Sequence, residues 1–461
     1  MYTPPGVFVT DQTVANYSSS TTVPSSVGIF GLASSYLSFT ETVVIPEDEG
    51  DPRETDILKF PNVSNVSATV AETGSPLIEG TDFELVTKKQ DGVTYIALTR
   101  VEDSEHLTDG GANVKVTYNY SPADFHRALR FNNIVDVSAF YGPAFDSDGV
   151  VNSEVTLAAQ LALANGAPTV IIVASKDDNE QSHLEALDTL NKARDVAIIA
   201  PASGSQSLFT SVSTAVNSAS NAELERRAIV GVDGSDSVVD ADMLSNYANQ
   251  ISNRRVALVA PSYANIRIPS MDKVVRVGGQ FIAAAVAGRS ASQTVEVPLT
   301  RKVIQGIHSL EDTYDTVDKN NLSASGVMVV EETAQGSMRI RHGVTTDNST
   351  KNSSEWSIVG ATDQIVSSIR TMLDTSGFIG SPITAGTVPA ITGMVDSLLT
   401  SAVADSVILR YGDLAVVQRV SEPDVIDVRF AIEFLFPLNR IYVTMSSSTT
   451  LGTTDTQITG I

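Results

Sequence analysis

"SEVTLAAQLALANGAPTVIIVAS" (residues 153–175) is the stretch that decides how this chain folds. Ser153 offers the hydroxyl that N-caps a helix, and Asn165-Gly166 supplies the stop. Directly behind it, "TVIIVAS" (169–175) is continuously apolar instead of alternating. A strand of that kind is buried on both faces, the mark of a parallel sheet. Working outward, "NIVDVSAF" (133–140), "VAIIAP" (196–201), "RAIVGV" (227–232) and "RVALVAP" (255–261) read as further strands, and "VGIFGLAS" (27–34) as a buried strand before them. Between them lie helical stretches, such as "DDNEQSHLEALDTLNKAR" (177–194), where Leu184, Leu187 and Leu190 share one face. Repeated β-α units with short connections imply a doubly wound α/β domain.

The pattern changes on either side. Between 38 and 121, "TVVIPE", "FELVTK", "TYIALT" and "NVKVTYNY" are short β-branched or aromatic runs separated by turn segments, which indicates an inserted all-β module, sandwich-like. The acidic run "PEDEGDPRETD" (46–56) reads as a solvated loop. Past 295 the pattern is α+β, with helices at 362–376 and 388–404. In "VIDVRFAIEFLFP" (425–437), Val428, Phe430, Ile432, Phe434 and Phe436 share one face, while Asp427, Arg429, Ala431 and Glu433 take the other. This is the strongest strand signal in the chain, and "NRIYVTM" (439–445) follows as another. The expected architecture is multidomain α/β plus α+β: an N-terminal arm (1–25), an α/β domain (26–37 and 122–294), the β module (38–121), a C-terminal α+β domain (295–445) and a C-terminal arm (446–461).

Composition narrows the chemistry. The chain has 461 residues, 42% apolar and 18% charged, with a formal net charge of -24, so it repels nucleic acid phosphates and anionic lipid. It has no cysteine, which excludes disulfides, thiolate nucleophiles and cysteine-ligated zinc. The N-terminus lacks the pattern of a signal peptide, and "VGGQFIAAAVAG" (277–288) is too short to span a bilayer, so folding in a cytoplasm is expected.

No catalytic constellation emerges. GxGxxG, GxxxxGK[ST] and GxSxG are absent, and the five histidines (His106, His126, His183, His308, His342) lack paired spacing and read as surface or capping residues. Asp177, Asp178, Asp233 and Asp236 lie at strand ends where a divalent cation could be held, but Asp and Ser there are ordinarily N-caps. "FDSDG" (145–149) is a fragment of a calcium loop without the downstream ligands. No cofactor and no metal are expected.

The termini raise a different possibility. "YTPPGVFVTD" (2–11) is a strand signal with no local partner, followed by a polar stretch, and the chain ends in the polar "SSSTTLGTTDTQITGI". Taken with "SSVGIFGLA", "LAAQLALANGAPTVIIVAS", "SMRIRHGVTTD" (337–347) and "SEPDVIDVRFAIEFLFPLNRIYVTM" (421–445), the chain resembles the contractile phage tail sheath family nearly end to end, apart from the β module. In "SMRIRHGVTTD", His342-Gly343-Val344 stands between Arg341 and the threonines of that family's Arg-Thr signature.

The resemblance implies a homo-oligomer of stacked rings forming a helical tube. Terminal arms lend strands to a neighbouring subunit's C-terminal sheet: here Val7, Phe8 and Val9 at one end, Ile441, Tyr442 and Val443 at the other, with Val428, Phe430, Ile432 and Phe434 in the acceptor sheet. It also implies a tail tube protein, baseplate and tail terminator proteins as partners, with no nucleic acid and no membrane. A helix such as 362–376 would face the tube. The subunit would be assembled in the host cytoplasm, reside in the virion, and contract to drive the tube through the host envelope on energy stored in subunit packing. The rival readings are a metal-dependent α/β hydrolase using the Asp cluster, and a virion adhesin whose β module binds a receptor.

Overall fold

The computed structural model describes residues 25–34, 37–45, 55, 57–61, 63–90, 93–102, 104–107, 112–120, 127–310 and 314–445. The chain begins with β1 (Ser26–Leu32) and passes into β2 (Leu37–Ile45), β3 (Val63–Val70), β4 (Pro76–Leu77), β5 (Phe83–Gln90), β6 (Val93–Arg100) and β7 (Ala112–Tyr120). Strands and helices then alternate: β8 (Leu129–Phe131), α1 (Ile134–Tyr141), α2 (Glu154–Ala164), β9 (Thr169–Ser175), α3 (Glu180–Lys192), β10 (Ile198–Pro201), α4 (Ser207–Asn221), β11 (Arg227–Gly231), α5 (Ala241–Ile251) and β12 (Val256–Ala260). Next come β13 (Tyr263–Ile268), β14 (Lys273–Gly278), α6 (Gly279–Ala291), β15 (Val303–Ile304), α7 (Thr316–Ala324), β16 (Val327–Glu332) and β17 (Met338–Ile340). The described chain closes with α8 (Lys351–Ser354), α9 (Trp356–Thr375), α10 (Thr387–Ala404), β18 (Arg410–Gln418) and β19 (Ile426–Glu433).

A nine-stranded sheet of order β15-β17-β16-β12-β11-β10-β1-β9-β8 organises the molecule. The six strands from β16 to β9 are parallel, and antiparallel strands finish both edges. The two-residue period of a strand divides its side chains between two cores. Along β9, Val170, Ile172 and Ala174 join the cluster under α2 and α6, whereas Ile171 and Val173 join the one under α3, α4, α5 and α7. This is why those runs are apolar throughout. Ser153 and Asn165-Gly166 bound α2 as read, with Ser153 accepting from Thr156 N–H and Gly166 at φ 92°. On the same face α6 is buried along its length, and a Cβ on Gly288 would lie 2.2 Å from the Ala162 carbonyl oxygen, so only glycine permits that approach.

Several sequence expectations are corrected. Residues 133–140 form α1, not a strand: Asn133 caps it by accepting from Asp136 N–H (2.9 Å), and Val137 and Tyr141, one turn apart, are its buried pair. The boundary expected at 294/295 cuts through the main sheet, because β15, β16 and β17 belong to it. Residues 439–445 form no strand. Two hairpin strands, β13 and β14, went unread, as did β3 and β18.

Within 38–121, β2-β7-β3-β4 form one sheet and β5-β6 another, and both feed one core containing Phe83, Leu98, Val114, Val116 and Tyr118. Phe60 stacks on Tyr120 at 3.9 Å and meets Phe140 of α1 edge-on, while the Tyr120 hydroxyl donates to the Ala139 carbonyl (2.6 Å). A fourth core joins α9, α10, β18 and β19. Buried charges tie α9 to the sheet: Arg255 donates to both oxygens of Asp363 (2.6 Å each), and Arg370 to Glu225 (2.7 Å). Arg227 donates to the Trp356 carbonyl (3.0 Å) with its guanidinium 4.4 Å over the indole. Burial pushes Arg227 down to about 10, so it remains a cation at neutral pH.

Candidate assembly surface

The most site-like feature of the C-terminal region is a two-stranded hairpin. β18 and β19 pair antiparallel, with an irregularity between Gly412 and Ala415 where Asp413 takes φ 54°. Their inner face carries Phe430, Ile432 and Phe434, buried against α9 and α10, with Val428 half-buried beside them. Among the described residues the hairpin has no third strand. Two-stranded sheets owe their stability to what they pack on, and their outer edges are templates for further pairing.

Behind β19 the chain leaves apolar side chains in solvent. Leu435, Phe436, Leu438, Ile441, Tyr442, Val443 and Met445 are exposed, from 42% at Leu435 to 87% at Met445. Phe436 therefore departs from the buried face that its spacing indicated. The segment is held at Asn439, whose amide donates to Glu355 Oε1 (2.8 Å), the same oxygen that His342 Nε2 approaches at 2.9 Å. The structure thus brings Val428, Phe430 and Ile432 of β19 and Phe434 just after it into one core, whereas Ile441, Tyr442 and Val443 are exposed and, among the described residues, form no strand. Val7, Phe8 and Val9 lie outside the described residues. β18 was missed because its irregularity breaks the alternation of Tyr411, Leu414 and Val416.

Charge pairs clip the hairpin's far end. Arg419 donates to Asp427 (2.7 Å) and also contacts Glu422, and these hydrogen bonds raise the Arg419 pKa while the Arg419 bond lowers that of Asp427. Both groups are open to water, so this contributes little.

The crevice at the carboxyl ends of the parallel strands is the other place where chemistry could reside. There Asp178 faces His183 Nε2 (3.3 Å), and Asp233 accepts from Ser235 N–H (2.9 Å) and Gln280 Nε2 (3.3 Å). Asp177 and Asp236 are exposed, and among the described residues no group of three or more acidic or histidine side chains is placed to share an ion. The helix caps expected at these turns are instead Asn179 and Asp240. His183 is buried, 2.8 Å from Ser175 Oγ, which corrects its surface assignment. Glu154 accepts from Leu32 N–H (3.1 Å), and burial, with Asp178 and Asp233 nearby, pushes it up to about 7. In "FDSDG", Asp146 closes a turn on Asp148 N–H (2.9 Å) and Val150 N–H (2.8 Å), so its carboxylate is engaged by backbone.

Helix α9, expected to face a tube, is largely buried through Arg370. α10 is apolar and long enough, by length and composition, to cross a membrane, yet Ile391, Val395 and Leu399 form one buried stripe on it. That stripe gives it the role of a core helix with an open outer face.

Comparison with known proteins accounts for this arrangement. Residues 178–346 match the family model of the phage tail sheath protein central domain. The tail sheath protein of Mycobacterium phage Bxz1 is 37% identical over 399 residues, 84% of this chain and 68% of that protein. In fold, the chain is similar to a chain of the anti-feeding prophage baseplate (TM-score 0.59, 12% identity, 97% of this chain and 100% of that one). It is also similar to the contracted helical sheath of the anti-feeding prophage (TM-score 0.56, 11% identity, 97% and 100%) and to the contracted sheath complex of an extracellular contractile injection system (TM-score 0.55, 9% identity, 97% and 99%). The chain belongs to the phage tail sheath family and is a structural sheath subunit.

Proposed function

We propose that this sheath subunit polymerises as stacked rings around a tail tube and contracts to drive the tube through a host envelope, its copies linked by exchanged terminal strands. The observation that carries the proposal is the segment that follows β19, whose apolar side chains face solvent. Ile441, Tyr442 and Val443, together with Val7, Phe8 and Val9, are the donated strands. The β18–β19 sheet bearing Val428, Phe430, Ile432 and Phe434 is the acceptor. Each backbone hydrogen bond so formed contributes ~1 kcal/mol net, and each apolar side chain covered adds ~1.5–3 kcal/mol. Repeated along a tube, such links let rigid subunits rotate without losing connectivity.

The division of labour that goes with this reading has residues 1–25 and 446–461 as arms. The doubly wound sheet forms the rigid body, the β module an outward insertion, and the region around α9, α10 and the hairpin the part nearest the tube. The tube protein and the baseplate and terminator proteins are its partners in the virion, assembly takes place in the host cytoplasm, and no catalysis is involved. The solvent-facing side of α10, rather than α9, is the helix surface free to meet the tube.

Negative-stain electron microscopy of the full chain, beside chains lacking residues 1–22 or ending at residue 434, tests this. Hollow cogged tubes from the full chain and dispersed folded particles from both truncations are expected. Tubes from both truncations would refute strand exchange. Small closed particles from the full chain, across salt and concentration, would refute polymerisation.

A further inference from the structure

Three arginines converge on one carboxylate at the β15 edge of the main sheet. Glu331 on β16 is paired with Arg339 on β17, and Arg339 in turn with Val303 on β15. Arg339 donates to Glu331 Oε1 from Nε (2.8 Å) and Nη2 (2.7 Å), Arg341 donates to Oε2 (2.7 Å), and Arg301 Nη1 lies 3.7 Å from Oε1. Burial alone would raise the Glu331 pKa, but the hydrogen bonds and charges of Arg339 and Arg341 outweigh it and hold the carboxylate below its ordinary range. Ile304, Met338, Ile340 and Val330 join the core under α2 and α6, so Glu331 and Arg339 take the opposite face, where Arg341 also donates to Asn320 of α7 (2.6 Å) and the Arg301 side chain is 60% exposed. With Lys302 adjacent, these strands and their approach carry four cations against Glu331 and Glu332, in a chain whose net charge is -24.

We propose that this corner docks residues 46–54 of a second copy of the chain, an inference that rests on the polymeric reading above. That segment, "PEDEGDPRE", sets Glu47, Asp48, Glu49, Asp51 and Glu54 against the single Arg53. Its flanks are fixed in the β module, Ile45 opposite Ala112 and Thr55 N–H donating to the Leu98 carbonyl (2.8 Å). The module meets the body at α1, which packs beside β8, the edge strand opposite β15. Eight strand spacings separate those edges, roughly 38 Å. A nine-residue segment held at both ends reaches out and back by only about 15 Å. A contact between copies, with patch and segment on different surfaces, repeats head to tail instead of closing on itself. It also supplies what a strongly anionic chain needs in order to pack against itself.

The absence of cysteine makes the test direct. Full-length Arg301→Cys and full-length Glu49→Cys are mixed, assembled at low salt and oxidised, then run on a non-reducing gel. A disulfide-linked dimer several-fold more abundant in the mixture than in either variant alone is expected. Assembly in 1 M NaCl, where the screening length falls to about 3 Å, removes it. In parallel, Arg301→Glu should slow assembly several-fold, and Glu49→Arg in the same chain should restore it. Tubes from the parent chain, with no mixed dimer and no effect of Arg301→Glu, would overturn the docking and leave the sheath reading standing. If the parent chain does not polymerise at all, both fall.

Discussion

The central strands and the terminal hairpin are built from similar residues and end in opposite conditions. β9, β1, β10, β11 and β12 each have a strand on both sides and helices on both faces, and nearly every side chain on them is buried. β18 and β19 have one packed face, no third strand among the described residues, and an apolar segment left in water behind them. The difference teaches where the described chain is covered on all sides and where it leaves apolar area in water. Apolar area is used up inside the first region and partly exposed in the second, and an exposed apolar run of that kind is a common mark of an interaction surface.

Variants that separate folding from assembly sharpen that contrast. The largest loss of stability is expected for Asp363→Ala, which strands the buried Arg255 guanidinium: ~3–5 kcal/mol in chemical denaturation. Leu258→Ala, fully buried in β12, should cost ~2–5 kcal/mol. Neither should change how the molecules that remain folded assemble.

Glu154→Gln is next and acts in the other direction. Because the folded state raises the Glu154 pKa to about 7, the neutral acid is the favoured form, and stability declines as pH rises from the unfolded value near 4.5 through 7. Glutamine mimics the neutral form and can still accept from Leu32 N–H. The variant should therefore match the parent at pH 4 and exceed it above pH 7 by up to ~3 kcal/mol in denaturant titrations. A parent chain with no such decline would remove the argument that this crevice is closed to ionised Glu154.

Ile441→Ser with Tyr442→Ser should leave the melting temperature unchanged, since both side chains are already in water, while abolishing tubes in the microscope. A large drop in melting temperature would break the comparison, for it would mean that the segment completes its own fold. Smallest of all, Asp427→Ala removes an exposed ion pair with Arg419 and should give no measurable shift in melting.

The two regions were also unequally legible. The parallel strands announced themselves because burial on both faces demands a continuous apolar run, and α2 because Ser153 and Asn165-Gly166 are local start and stop signals. Where one face is solvated or the ladder is interrupted, the signal weakened: β13 and β14 were passed over, and Asp413 hid β18 by shifting its register. Residues 133–140 read as a strand from their apolar content, and the Asn133 cap decided for the helix. The shared face of Val428, Phe430, Ile432 and Phe434 was readable because alternation against a single core is periodic. The ion clusters of Arg255–Asp363 and Glu331 with its arginines were not, since their members come from distant parts of the chain.

By itself, then, the sequence determined that 169–175, 196–201, 227–232 and 255–261 carry buried strands, where α2 begins and ends, and that the ends of the chain resemble those of sheath proteins. These follow from short-range periodicity and capping. Only the tertiary structure decided that the sheet continues past residue 295 to β15, that His183 and Arg227 are interior, and that residues 435–445 remain exposed. Those outcomes depend on which partner a strand, a charge or an apolar face meets across a long stretch of chain, and a local pattern contains no record of that partner.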